Sequence, residues 1–146
     1  PAAVHDFKMD CSEKRKNDDT LEGVSRRLMY AAQKGDVEEV KTLLQHPLVD
    51  PSFVADVDVF SSERRALAAA ANSGRIEVVK ALLEDGRADP AADGSAALWR
   101  AALNGHTEVV SLLLEDKRSD PSAWDHGAVR WAAQMGRTEV VRILLR

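Results

Sequence analysis

Cysteine is nearly missing from this chain. Cys11 stands alone among 146 residues, so no internal disulfide can close and no cysteine-rich zinc site can be built. A reducing compartment, cytoplasmic or nuclear, is where such a composition is at home. Long hydrophobic runs are absent as well. No stretch approaches the roughly 18 apolar residues of a membrane span, so no membrane partner is expected. Base is not in excess either: a net charge of −4 and a pI near 5.6 give no general attraction to nucleic acid. Proline (5) and glycine (8) are too few for a collagen-like or low-complexity chain. What is present, 45% hydrophobic and 30% charged residues, suits one globular domain with enough chain to bury a core.

The catalytic signatures are missing too. There is no H-E-x-x-H, no P-loop, no G-x-G-x-x-G and no G-x-S-x-G, and nothing has the spacing of a metal site. Neither His5 nor His46 has a partner at ligand spacing, and Asp125-His126 are adjacent, an arrangement that seldom orients a base. Asp89, Asp93, Asp120 and Asp125 lack the ligand density of a calcium loop. A non-enzyme without cofactor or metal is expected.

What the sequence does contain is a repeat. Ala31-Ala32 leads to Gly35, Ala70-Ala71 to Gly74, Ala101-Ala102 to Gly105 and Ala132-Ala133 to Gly136, placing the glycines 39, 31 and 31 residues apart. Fifteen residues after each of the first three glycines stands Asp-Pro: Asp50-Pro51, Asp89-Pro90 and Asp120-Pro121. Residues 70–92 and 101–123 share 14 of 23 positions, which excludes coincidence.

The unit reads as a helix pair. Leu28, Leu67, Leu98 or Val129 opens an alanine-rich helix, and glycine closes it with a left-handed cap. A second helix follows with Glu39, Glu77, Glu108 or Glu139 near its positive end. In the first unit Asp36 and Glu39 have capping-box spacing. Apolar pairs about four residues apart, such as Val78-Val79 with Leu82-Leu83, make one buried stripe, and proline then sets a turn. A single pair cannot cover its stripe, but stacked neighbours can.

The string GHTEVVSLLLE (Gly105–Glu115), with the variants GRIEVVKALLEDG and GRTEVVRILLR, resembles the ankyrin repeat. The resemblance runs from Leu28 to Arg146 and recurs in register. The family's T-P-L-H-x-A pattern is replaced by RRLMYA, RALAAA, AALWRA and AVRWAA, and the later units take 31 residues where 33 is usual. The nine residues from Asp89 to Leu98 are too few for a full β-hairpin finger. The expected fold is therefore all-α: an ankyrin-type solenoid of helix-turn-helix units with short turns and little or no β-hairpin. The units run approximately 26–51, 65–90, 96–121 and 127–146 within a repeat domain 21–146. His106, at the family's Gly-His position, is read as a helix-end hydrogen-bonding residue.

The resemblance implies a monomeric protein-interaction module, an adaptor or an effector, that binds another protein through the inner helices and turns of its concave side. A regulatory or targeting fragment of a larger enzyme or channel is the alternative. Residues that differ most between matching units are free of scaffold duty and become the candidates for partner contact. The first unit offers Tyr30 and Gln33, the third Trp99, Arg100 and Leu103. The last offers Trp124, Asp125 and His126 in its turn, then Arg130, Trp131 and Gln134 on its helix. Trp, Tyr and Arg are the types enriched at interface hot spots. Of the three tryptophans, Trp124 is the binding candidate, Trp99 is divided between packing and binding, and Trp131 is read as packing. The basic last unit also suits an acidic partner.

Two irregular segments remain. The insertion 52–64 alternates Phe53, Val54, Val57, Val59 and Phe60 with acids and suits a strand, a packing element or a binding loop. The polar segment 1–20 offers Val4, Phe7 and Met9 as a cap on the first unit. Pro1 in place of methionine, and a stop at Arg146 just after an apolar run, suit removal of a leader or a larger flanking region.

Overall fold

The computed structural model describes residues 21–47, 49, 51 and 65–146. The readings placed on 1–20 and on the insertion 52–64 lie outside the described residues. Among those described there are helices and no strand. In chain order they are α1 (Leu21–Lys34), α2 (Val37–Leu44), α3 (Ala66–Asn72), α4 (Ile76–Asp85), α5 (Ala92–Asn104), α6 (Thr107–Glu115), α7 (Ala123–Gln134) and α8 (Thr138–Leu144). The odd helices pack in one row, α1 on α3 on α5 on α7, and the even helices in a second, α2 on α4 on α6 on α8. Each odd helix also packs on the even helix that follows it. The result is the expected all-α stack of helix-turn-helix units.

Small residues set the spacing of the first row. Ala31, Ala32, Ala70, Ala71, Ala101 and Ala102 are all within 2% of complete burial, so neighbouring backbones meet with almost nothing between them. Branched and long residues fill the seam between rows: Val40, Val78, Val79, Leu82, Val109, Val110 and Leu113 are fully enclosed. Each such side chain removed from water is worth about 1.5–3 kcal/mol. Leu28 does not open its helix as expected. α1 starts seven residues earlier, at Leu21, because Val24 lies one turn before Leu28 on the same face and is equally buried.

The expected local chemistry is present at the caps. Asp36 Oδ1 accepts the amide of Glu39 at 3.1 Å at the start of α2. Gly35, Gly74, Gly105 and Gly136 all take the left-handed conformation, with φ between 68° and 83°. The first three do more than turn the chain. A Cβ on Gly35 would lie 2.7 Å from Arg75 Cδ, one on Gly74 2.6 Å from the His106 ring, and one on Gly105 2.8 Å from Arg137 Cδ. Each glycine is thus the floor on which the next unit lays a side chain, and that side chain bonds back. Arg75 Nε donates to the Gln33 carbonyl at 3.2 Å, and Arg137 Nε to that of Leu103 at 3.3 Å. His106 Nε2 lies 2.9 Å from the Asn72 carbonyl oxygen. Arg75, His106 and Arg137 occupy the N-cap positions of α4, α6 and α8, where none of them caps its own helix. They tie units together instead.

A second inter-unit tie sits after the even helices. Arg87 grips Asp85 with Nε 2.7 Å from Oδ2 and reaches the carbonyls of Leu44 (2.7 Å) and Val49 (3.1 Å) in the preceding unit. Arg118 repeats this with Asp116 (2.6 Å) and with the Ala88 carbonyl (3.4 Å). That bond holds the Asp116 carboxyl below the usual carboxylate range, outweighing the opposing effect of burial.

The abbreviated finger has a definite form that the residue count did not foresee. Asp93, Gly94 and Ser95 all have φ near +60° (53°, 64° and 58°), as do Trp124, Asp125 and His126 (57°, 54° and 57°). Each triplet is one turn of left-handed helix, closed by Ser95 N to Ala91 O and His126 N to Ser122 O, both at 3.0 Å. The right-handed helix starts only afterwards. Aspartates anchor the approach: Asp89 Oδ1 accepts the Ala91 amide, and Asp120 Oδ1 accepts the Ser122 amide and hydroxyl. The Ser122 hydrogen bonds hold the Asp120 carboxyl below its usual range.

Candidate partner-binding site

Left-handed backbone is routine for glycine and tolerated by Asp, Asn and His, but it is an outlier for a bulky residue such as tryptophan. Trp124 therefore stands out. Its indole lies against Gly94 of the preceding unit, where a Cβ would collide with Nε1, and Nε1 donates to the Asp93 carbonyl at 3.3 Å. Asp93 is itself held from the unit before, with its Oδ2 3.0 Å from Arg65 Nε. Ser95, buried in the same turn, accepts the Asp120 amide at 2.8 Å. Three consecutive units thus hold the two left-handed turns in place.

The turn places Trp124 in the wall of a cavity of about 480 Å³ between α5 and α7, lined by Asp93, Trp99, Trp124, Gly127, Arg130, Trp131 and Gln134. That volume falls within the roughly 300–1,000 Å³ of ordinary ligand pockets. Three indoles face the same space. Trp124 is 70% exposed and Trp131 46% exposed, which departs from the reading of Trp131 as a packing residue. Trp99 is half-buried, packed against the core, with the Arg100 guanidinium 4.6 Å from its ring centroid.

Of the residues named from sequence, five line this cavity: Trp99, Trp124, Arg130, Trp131 and Gln134. Arg100 adjoins it through Trp99. Asp125 and His126 lie in the left-handed turn itself, exposed, and Asp125 reaches Arg130 at 3.5 Å. Leu103 is half-buried and contributes its carbonyl to the Arg137 tie. Tyr30 and Gln33 sit on α1, two units away and not in the cavity; Tyr30 is exposed and the Gln33 carbonyl accepts from Arg75.

Sequence reasoning passed over Asp93 as a wall residue and Gly127 altogether. The register held the signal. Asp93 and Trp124 are 31 residues apart, as are Trp99 and Arg130, and Arg100 and Trp131. In a stack, positions one period apart are neighbours, so variable positions in consecutive units converge.

Among the described residues no group of three or more His, Cys, Asp or Glu side chains could hold a metal ion. No helix among them is long and apolar enough to cross a membrane. No curated protein matches the sequence. The family model for ankyrin repeats (3 copies) matches residues 8–93, 28–125 and 84–146. With glycine-closed helix pairs stacked in two rows and a family match over nearly the whole chain, the protein belongs to the ankyrin repeat family.

Proposed function

We propose that this chain is a non-catalytic, monomeric interaction module, an adaptor or effector, that holds a partner protein through the first-helix row and its turns, with the tryptophan cavity as the anchor point. Ankyrin repeats are generally protein–protein interaction modules and typically non-catalytic. The observation that carries the finer reading is the meeting of three indoles around one opening, two of them largely exposed. Aromatic side chains cost little conformational entropy to immobilise and dominate interface energetics once enclosed. A folded chain keeps such groups in water at a cost, and a partner that covers them recovers it. The single cysteine supports a reducing cytoplasmic or nuclear setting.

The test is a hydrogen-exchange footprint with a captured partner, followed by the Trp124→Ala and Trp131→Ala variants. Protection over 92–104 and 123–134, lost in both variants while circular dichroism stays native, is the expected result. Protection confined to the even helices would place the interface on the opposite row and end this reading.

A further inference from the structure

The charges of the stack are segregated. In the last three units, residues 65–75, 92–106 and 123–137, the first helices and their glycine turns, carry five arginines against two aspartates. Residues 76–91, 107–122 and 138–146, the second helices of the same units with their turns, carry nine carboxylates against six basic residues. A chain of net charge −4 therefore shows a basic side, and the tryptophan cavity opens on it.

The two aspartates on that side are already engaged. Asp93 is bonded to Arg65 at 3.0 Å, and Asp125 faces Arg130 at 3.5 Å. An ammonium or methylated ammonium ligand, the usual guest of an aromatic box, would find one carboxylate in the cavity wall, Asp93, and that one is held by Arg65. Such a ligand would instead face Arg130 in the wall. The Arg130–Asp125 pair is exposed on both sides, with side chains 69% and 90% accessible. Such a pair is held weakly, so a partner's carboxylate can replace Asp125 at little cost.

Resting on the reading that this cavity anchors a protein, we infer that its occupant is an acidic segment of the partner that inserts one bulky apolar side chain among the indoles. A carboxylate flanking that side chain meets Arg130. The indoles supply buried area, and the guanidinium sets orientation and selects against basic sequences.

The experiment is selection of a displayed library of random peptides, about twelve residues long, on the whole chain, with counter-selection on Trp131→Ala. Enrichment of peptides with a large apolar residue flanked by Asp or Glu is expected. For the best of these, fluorescence anisotropy should show about tenfold weaker binding to Arg130→Glu, loss of affinity with added salt, and loss when the peptide's acids become lysine. Arg130 is exposed, so its replacement does not threaten the fold. Tryptophan-dependent enrichment of basic or neutral peptides, or better binding of a trimethyl-lysine peptide, would overturn the acidic occupant and leave the cavity as an anchor. Peptides whose enrichment ignores Trp131 would overturn both. An Arg130→Glu affinity within twofold of the native chain would remove the guanidinium from the interaction.

Discussion

Leu113 and Leu144 hold the same place in consecutive units, 31 residues apart, and live in different surroundings. Leu113 is completely enclosed, whereas Leu144 is only partly covered. The same contrast separates Val110 from Val141 and Ala102 from Ala133, which is exposed in the last unit. Among the described residues nothing packs on the far side of α7 and α8. A single sequence pattern thus yields a core position or a surface position according to what packs on it. The stability of each unit is a property of its interfaces, as a stacked architecture requires.

Three pairs of substitutions and one single replacement turn this contrast into measurements. The largest effect is expected at the core. Leu113→Ala should cost about 3 kcal/mol in chemical denaturation, and Leu144→Ala no more than about 1, because no enclosed cavity is left behind. Equal losses would mean that the last unit is as tightly packed as the third.

Next comes the glycine floor. Gly74→Ala and Gly136→Ala both force a side chain into left-handed backbone, at about 1 kcal/mol. Only Gly74 carries a neighbour, the His106 ring, while Gly136 has nothing within 4 Å. Gly74→Ala should therefore cost about 2 kcal/mol, and equal melting shifts for the two would dismiss the idea that these glycines serve inter-unit contact.

The arginine ties rank third. Arg118→Ala gives up Asp116 and the carbonyls of the unit before, and should lose about 1–2 kcal/mol. Arg142→Ala removes only an exposed pair with Glu139 and should lose less than about 0.5. Thermal melts of both variants at matched salt separate them.

The smallest effect is the acid response. A carboxylate held low in the folded chain adds stability that is complete above its unfolded value and disappears as pH falls through its folded value. Asp116→Asn should therefore melt below the native chain at neutral pH, with the gap closing as pH drops below about 4. A gap that does not narrow at all as pH falls would mean that Asp116 acts by shape alone.

Much of this fold was legible in the chain. The paired alanines, the closing glycines and the Val-Val/Leu-Leu stripes state helix, turn and buried face by composition and period alone. The site was legible in part. Variation between units pointed to Trp99, Trp124, Arg130, Trp131 and Gln134, since a residue the scaffold does not dictate is free to differ. The cavity itself was not, because it depends on a left-handed turn. Nothing about the residues Trp124, Asp125 and His126 announces three successive positive φ angles, and only the floor at Gly94 and the anchor at Asp93 make that conformation affordable for an indole.

By itself the sequence determined the unit: which segments are helices, where each stops, and which face is apolar, all consequences of interactions within about four residues. Tertiary structure alone decided what each copy of the unit does. Burial of Leu113 against the partial cover of Leu144, an arginine turned away from its own helix to bond the one before, and three indoles from two units around one opening all arise between residues about one repeat apart. Those contacts exist only once the units are stacked, because stacking makes neighbours of positions that the chain keeps far apart.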